Sequence, residues 1–120
     1  MNTIDYSPGL HKLLTLHVKN TEKLINSAAF QLFTDAILLE NNLHQVGIVL
    51  HHFENESFTI AVCLKESHIC MHTWPEFNQL TLDIYLCNYQ KDNSHLVQSI
   101  AQKYTEYFEA TIIKDIEINR

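Results

Sequence analysis

The chain has 120 residues, 46% hydrophobic and 18% charged, with two prolines and two glycines; this excludes collagen-like, low-complexity and disordered classes and predicts one domain, 1–120, around a single core. Eight Lys and Arg against fourteen Asp and Glu give a net charge of −6, and an acidic chain without a basic cluster argues against nucleic acid as its partner. No apolar run reaches the ~18 residues that span a bilayer, the start Met1-Asn2-Thr3-Ile4-Asp5-Tyr6 lacks the order of a signal peptide, and three cysteines without a C-x-x-C pair point to thiols in the cytoplasm.

From Leu13 to Val18, Leu14, Leu16 and Val18 alternate against Leu13, Thr15 and His17, the period of a strand. Residues 21–42 predict a helix with Ile25, Ala28, Ala29, Leu32, Ala36 and Leu39 as its apolar stripe and Asn41-Asn42 as its stop. Gln45 to Phe53 is rich in Val and Ile and reads as a strand, and Glu54-Asn55-Glu56-Ser57 is polar and short, as a hairpin connection should be. Phe58, Ile60, Val62 and Leu64 then alternate with Thr59, Ala61 and Cys63. Lys65-Glu66 breaks that run, Ser67 to Trp74 resumes it, and Pro75 ends it because proline cannot donate to a ladder. Leu80, Leu82, Ile84 and Leu86 stand opposite Thr81, Asp83, Tyr85 and Cys87 in another strand. Lys91-Asp92-Asn93-Ser94 is a turn with Ser94 as N-cap. Leu96, Val97, Ile100, Ala101, Tyr104, Tyr107 and Phe108 stripe a second helix, and Ile112 to Ile118 closes as a strand.

The order β-α-β-β-β-β-α-β, with short polar turns between consecutive strands, predicts an α+β two-layer sandwich: an antiparallel sheet with two helices on one face. The run Ile60-Ala61-Val62-Cys63-Leu64 has no polar position, as in a strand covered on both faces. A homodimer through the open sheet face or edge would cover it, with Cys63 as a small buried apolar residue.

The densest cluster of reactive groups is Glu66-Ser67-His68-Ile69-Cys70-Met71-His72-Thr73-Trp74-Pro75-Glu76. Three readings stay open from the residues alone. The polar groups can simply be satisfied by hydrogen bonds on a half-buried strand. His68, Cys70 and His72 share a strand face and are of zinc-ligand type, but steps of ~7 Å are too long for one ion, and no metal is assigned. Ser67 and His72 can be a nucleophile and its base; five residues apart, they need a bulge or bend at Glu66-Ser67 to meet. No G-x-S-x-G elbow is present.

Glu66-Ser67-His68-Ile69 followed two residues later by His72-Thr73-Trp74-Pro75-Glu76 resembles the signature of the small prokaryotic S-adenosylmethionine decarboxylases, self-processing pyruvoyl enzymes. Cys87 stands twenty residues beyond Ser67, where that family places a catalytic cysteine. Phe53 falls where it has an aromatic that stacks on adenine, and Gly9-Leu10-His11 extends the likeness toward the N-terminus. The resemblance implies autocatalytic cleavage between Glu66 and Ser67. The Ser67 hydroxyl attacks the Glu66 carbonyl, the ester eliminates, and residues 1–66 become a β chain. Residue 67 becomes the covalent pyruvoyl cofactor at the head of an α chain, 67–120. His72 is implied as the acceptor of the proton lost in elimination, and Thr59 as a hydrogen-bonding support for the tetrahedral adduct. The pyruvoyl carbonyl is implied to form a Schiff base with S-adenosylmethionine and to act as the electron sink for decarboxylation. Cys87 is the implied proton donor. Phe53 and Trp74 are implied to sandwich the adenine, and Glu76 to bind the ribose. The product is the aminopropyl donor for spermidine synthesis. His68 receives no role, and His11, His17, His44 and His95 read as surface or core residues.

The likeness has departures. A Tyr-Gly-Val-Ser-Gly stretch often precedes the processing site in that family; Glu56-Ser57-Phe58-Thr59-Ile60 stands here, without glycines and with threonine for serine. The family's Cys-Gly is Cys87-Asn88. The same machinery serves ornithine or arginine decarboxylation in relatives, and other relatives have lost catalysis. A pyruvoyl-dependent ornithine or arginine decarboxylase and an unprocessed, non-catalytic paralogue are therefore the alternatives.

Overall fold

The computed structural model describes residues 6–88 and 91–120. Its elements are β1 (Leu10–His17), α1 (Thr21–Ile25), α2 (Ser27–Glu40), β2 (Gln45–His52), β3 (Phe58–Leu64), β4 (Ser67–Trp74), a 3-10 turn Pro75–Phe77, β5 (Gln79–Leu86), α3 (Ser94–Tyr107) and β6 (Thr111–Asn119). The six strands form one antiparallel sheet in the order β2-β3-β4-β5-β1-β6. The α+β architecture expected from the sequence is present in the expected element order. Among the described residues, no helix is long and apolar enough to cross a membrane.

The core follows from strand alternation. Leu10, Leu14 and Leu16 of β1, Phe58, Ile60, Val62 and Leu64 of β3, Ile69 and Met71 of β4, and the four even positions Leu80 to Leu86 of β5 are buried. They pack against Leu24, Phe30, Ile37 and Leu38 of the first helical segment and Val97, Ile100, Ala101 and Tyr104 of α3. Phe30 sits at the centre, with ring centroids 5.4 Å from Tyr104, 6.1 Å from Phe58 and 6.1 Å from Phe108. Burying one such side chain contributes about 1.5–3 kcal/mol.

Two expectations for the first helix are corrected. It is broken at Asn26, whose side chain accepts from the Ala29 N–H at 3.0 Å and so starts α2 anew. The buried face is also a different one: Leu24, Ser27, Phe30, Thr34, Ile37 and Leu38 point inward, while Leu32 and Leu39, in the predicted stripe, are 73% and 85% exposed. The buried threonine is satisfied by the Tyr104 hydroxyl at 2.8 Å. At the head of α3, Asn93 rather than Ser94 is the N-cap residue.

Gly9 is fixed by close approach. A Cβ there would stand 2.4 Å from the Leu86 carbonyl oxygen, while Gly9 and Arg120 exchange two backbone hydrogen bonds of 3.0 Å. This holds the segment ahead of β1 beside the end of β5, where the site lies.

Candidate active site

The sheet face away from the helices carries rows of paired residues. One row runs His51, Thr59, His72, Thr81, Thr15 across the sheet; the next runs Val49, Ala61, Cys70, Asp83, Leu13; the third runs Gly47, Cys63, His68, Tyr85, His11. Among the described residues no helix covers this face, so Cys63, expected to be buried, is exposed. Val49 on the same face is 68% exposed.

The reactive groups gather at the two ends of β4. At one end the β3–β4 turn consists of Lys65 and Glu66, with Glu66 at φ 63, a left-handed conformation that a residue with a Cβ adopts at a cost of about 1–2 kcal/mol. Ser67 follows directly, and its Oγ accepts the Cys87 backbone N–H at 2.9 Å. The Cys87 thiol donates to Glu66 Oε2 at 3.7 Å. Beside them His11, His68 and Tyr85 form a ring cluster with centroids 5.5–5.8 Å apart, next to a cleft of about 540 Å³ lined by Tyr6, Glu66, His68, Tyr85 and Arg120. A hydrogen bond with Tyr6, aided by burial, pushes the Tyr85 hydroxyl up to about 12. Burial holds His11 below its ordinary value, Asp83 opposing. Its Nδ1 accepts from Arg120 Nη1 at 3.4 Å, which leaves the buried Nε2 without a partner among the described residues.

At the other end Thr59 Oγ1 and His72 Nδ1 are hydrogen-bonded at 2.5 Å across β3 and β4. Burial lowers His72 from 6.5, with Glu76 pulling it back up. His72 stacks edge-on against Trp74 at 4.1 Å and lies 5.6 Å from Phe53. Glu76, in the 3-10 turn, accepts from Asn55 Nδ2 at 3.1 Å, so the β2–β3 connection orients it. A groove of about 230 Å³ opens here, lined among others by Thr59, His72, Cys70 and Asp83.

Ser67, Cys87 and Glu66 are thus brought together, as are Thr59, His72, Phe53, Trp74 and Glu76. The two groups are not brought to each other. β4 pairs with β3 and β5 in unbroken register, so no bulge turns Ser67 toward His72; five residues at ~3.3 Å separate them by ~16 Å, on opposite strand faces. Phe53 and Trp74 do not face each other across an empty slot, because His72 stands between them. Sequence reasoning passed over Asn55, which orients Glu76, Asn93, which reaches the Cys87 carbonyl, and His11. These roles depend on partners 6 to 109 residues away, which periodicity does not reveal.

Comparison with known proteins bears on this arrangement. The sequence profile of the family described as S-adenosylmethionine decarboxylase matches residues 10–120. An S-adenosylmethionine decarboxylase proenzyme of Sulfurihydrogenibium sp. is 32% identical over 79 residues, covering 66% of this chain and 59% of that relative. The matched span is thus about three-fifths of its length. A proenzyme of the same name from Clostridium botulinum (strain Langeland) is 27% identical over 108 residues, covering 90% of this chain and 91% of the relative. A crystal structure of the adenosylmethionine decarboxylase from Aquifex aeolicus VF5 has the same fold, with a TM-score of 0.82 at 23% identity over 97% of this chain and 92% of that one. With a profile match running from the first strand to the last residue, the chain belongs to the S-adenosylmethionine decarboxylase family.

Proposed function

We propose that the chain is the precursor of a pyruvoyl-dependent decarboxylase of S-adenosylmethionine that cuts itself between Glu66 and Ser67. The observation that carries this reading is the β3–β4 turn: a left-handed Glu66 immediately precedes a serine whose Oγ is hydrogen-bonded, with a thiol beside them. A turn that stores strain at the scissile link makes the amide a better target for a weak nucleophile. Attack of Ser67 Oγ on the Glu66 carbonyl breaks the C–N bond and forms an ester. Loss of the Ser67 Cα proton expels the Glu66 carboxylate, and water replaces the freed amine as ammonia to leave a ketone. The products are chains of residues 1–66 and 67–120.

The pyruvoyl group fits the residues present, because the serine that makes it lies against the Cys87 peptide and thiol. When formed, it supplies an electron sink for the pair left by departing carbon dioxide. Cys87 holds the proton that the substrate Cα then takes. Phe53, 45% exposed, and Trp74 offer aromatic surface to the adenine and the sulfonium, with His72 as the middle of that platform. Glu76, oriented by Asn55, accepts from the ribose hydroxyls. An aromatic platform of this size suits an adenosyl substrate better than ornithine or arginine.

The separation of Ser67 from His72 supports a homodimer through the open face. A two-fold axis crossing β4 near Cys70 sets one end of this face on the other end of its copy, bringing the partner's Thr59 and His72 to the Glu66–Ser67 turn and to the backbone Cα of Ser67, whose hydroxyl turns to the other face. The His72 tautomer with Nδ1–H donating to Thr59 Oγ1 leaves Nε2 as the base for the Ser67 Cα proton. The product, a decarboxylated sulfonium, is an aminopropyl donor of the kind spermidine synthesis consumes, and the three thiols suit the reducing cytoplasm.

The test is mass spectrometry of the purified protein after prolonged incubation, with carbon dioxide release measured from S-adenosylmethionine, ornithine and arginine. The expected result is a cut after Glu66, a keto group in place of the amine of residue 67, and release from S-adenosylmethionine alone. An intact chain with no release from any of the three overturns the reading.

A further inference from the structure

Cys87 is held at both ends of its peptide backbone. Its N–H donates to Ser67 Oγ at 2.9 Å, and its carbonyl accepts from Asn93 Nδ2 at 2.8 Å. Asn93 in turn donates its backbone N–H to Asn88 Oδ1 at 2.7 Å, and Asn88 Nδ2 donates to the Pro8 carbonyl at 2.9 Å. Asn88 is only 9% exposed. Four hydrogen bonds therefore tie together the segment ahead of β1, the end of β5, the residue ahead of α3 and residue 67.

Asn93 stands at an N-cap, where asparagine ordinarily accepts from the second or third N–H of the helix. Asn20 does this with the Glu22 N–H and Asn26 with the Ala29 N–H. Asn93 makes no side-chain cap bond; Asp92 Oδ1 takes the Ser94 N–H instead, at 2.8 Å. The side chain best suited to stabilise the start of α3 is turned to the Cys87 carbonyl. Its neighbour in the network, Asn88, occupies the position after the cysteine, where a glycine would offer no side chain to join Pro8 to Asn93.

We infer that Asn88 and Asn93 are positioning residues that clamp the Cys87 peptide, so that its N–H fixes the Ser67 hydroxyl in one rotamer for self-cleavage. The inference rests on the self-processing reading above and adds to it the device that aims the nucleophile. A free serine hydroxyl samples three staggered rotamers; a donor held rigidly against Oγ selects one of them, and neither asparagine touches the reacting atoms.

Asn93→Ala, Asn93→Asp and Asn88→Gly, each in the full chain, test the clamp through cleavage rate, melting temperature and amide hydrogen exchange at Cys87. Exchange is followed in a His72→Ala background, which keeps the chain whole from the far end of the sheet. Both Asn93 variants and Asn88→Gly are expected to cleave about tenfold slower, the effect of losing one good hydrogen bond from the aligned state. Asn93→Asp, itself a good N-cap, is expected to recover the melting temperature but not the rate, since a carboxylate cannot donate to the Cys87 carbonyl. Exchange at Cys87 rises about tenfold in all three. Wild-type cleavage rates, a rate recovered together with stability in Asn93→Asp, or unchanged exchange at Cys87 each overturn the inference. A wild-type chain that never cuts sinks the self-processing reading itself, and exchange at Cys87 then decides alone whether the clamp exists.

Discussion

Ser67→Ala removes the proposed nucleophile, and His72→Ala removes the proposed base. Because β4 runs unbroken between the two positions, they lie ~16 Å apart in one chain, at ~3.3 Å per residue, beyond any proton transfer within it. Each variant alone is expected to stay whole, His72→Ala cutting some 10²- to 10⁴-fold more slowly than wild type, the usual contribution of a positioned acid–base group. Mixed in equal amounts, the two give about one heterodimer for every two dimers, and each heterodimer holds one complete site: Ser67 of the His72→Ala chain with His72 of the Ser67→Ala chain. About a quarter of all chains should then cut, every one of them a His72→Ala chain. Co-expression with different tags, followed by intact-mass analysis of each tagged chain, reads this directly. If the mixture stays uncut while gel filtration shows dimers, or if His72→Ala alone cuts at the wild-type rate, the two ends of the face do not cooperate across copies and the proposed dimer geometry is wrong.

Burial holds His72 and His11 below 6.5, so the unfolded chain binds more protons than the folded one below that pH. Stability should be complete above about pH 6.5 and fall as the pH drops through the lowered folded values, read by urea unfolding of Ser67→Ala from pH 7.5 to 5. The cleavage rate of the wild-type chain should reach half its plateau below pH 6.5; a midpoint above it contradicts a half-buried His72 whose neutral form is favoured as the base. Tyr104→Phe leaves the Thr34 hydroxyl, 1% exposed, without its 2.8 Å partner and should cost about 1–3 kcal/mol, while Thr34→Val with Tyr104→Phe should recover part of the loss in a double-mutant cycle. Lys12 is 5% exposed and paired at 2.7 Å with both Asp115 and Glu117; Lys12→Met keeps the buried stem and frees two half-exposed carboxylates to rehydrate, so urea unfolding should show a loss of only about 1–2 kcal/mol.

The central strands and α3 were legible because one periodicity dominates each. In β5 every second residue from Leu80 to Leu86 is apolar and buried, and the predicted Val97, Ile100, Ala101 and Tyr104 of α3, with Phe108 at its C-cap, enter the core. The first helix misled because it is apolar around much of its circumference: Leu32 and Leu39 compete with Phe30, Ile37 and Leu38 for the inner face. Phe30 wins because its ring fits among Tyr104, Phe58 and Phe108, and a polar Thr34 is admitted because Tyr104, 70 residues away, supplies its hydrogen bond. Neither reason can be read from a window of neighbouring residues.

The candidate site was legible in content and illegible in arrangement. Residue type and order singled out Ser67 and His72, the family resemblance added Cys87, Phe53, Trp74 and Glu76, and period-two alternation already set Ser67 and His72 on opposite faces of a straight strand. What the sequence left open was whether a bend would join them, and the unbroken register of β4 closes that route. The strain instead sits one residue earlier, in the backbone of Glu66, at the link whose cleavage is proposed rather than between nucleophile and base. With the strained bond and the proposed base at opposite ends of one strand, the proposed mechanism would protect the chain from cutting before it has met a second copy. Processing should accordingly slow on dilution below the dimer dissociation constant, and a rate independent of protein concentration across that range would place the base within the same chain after all.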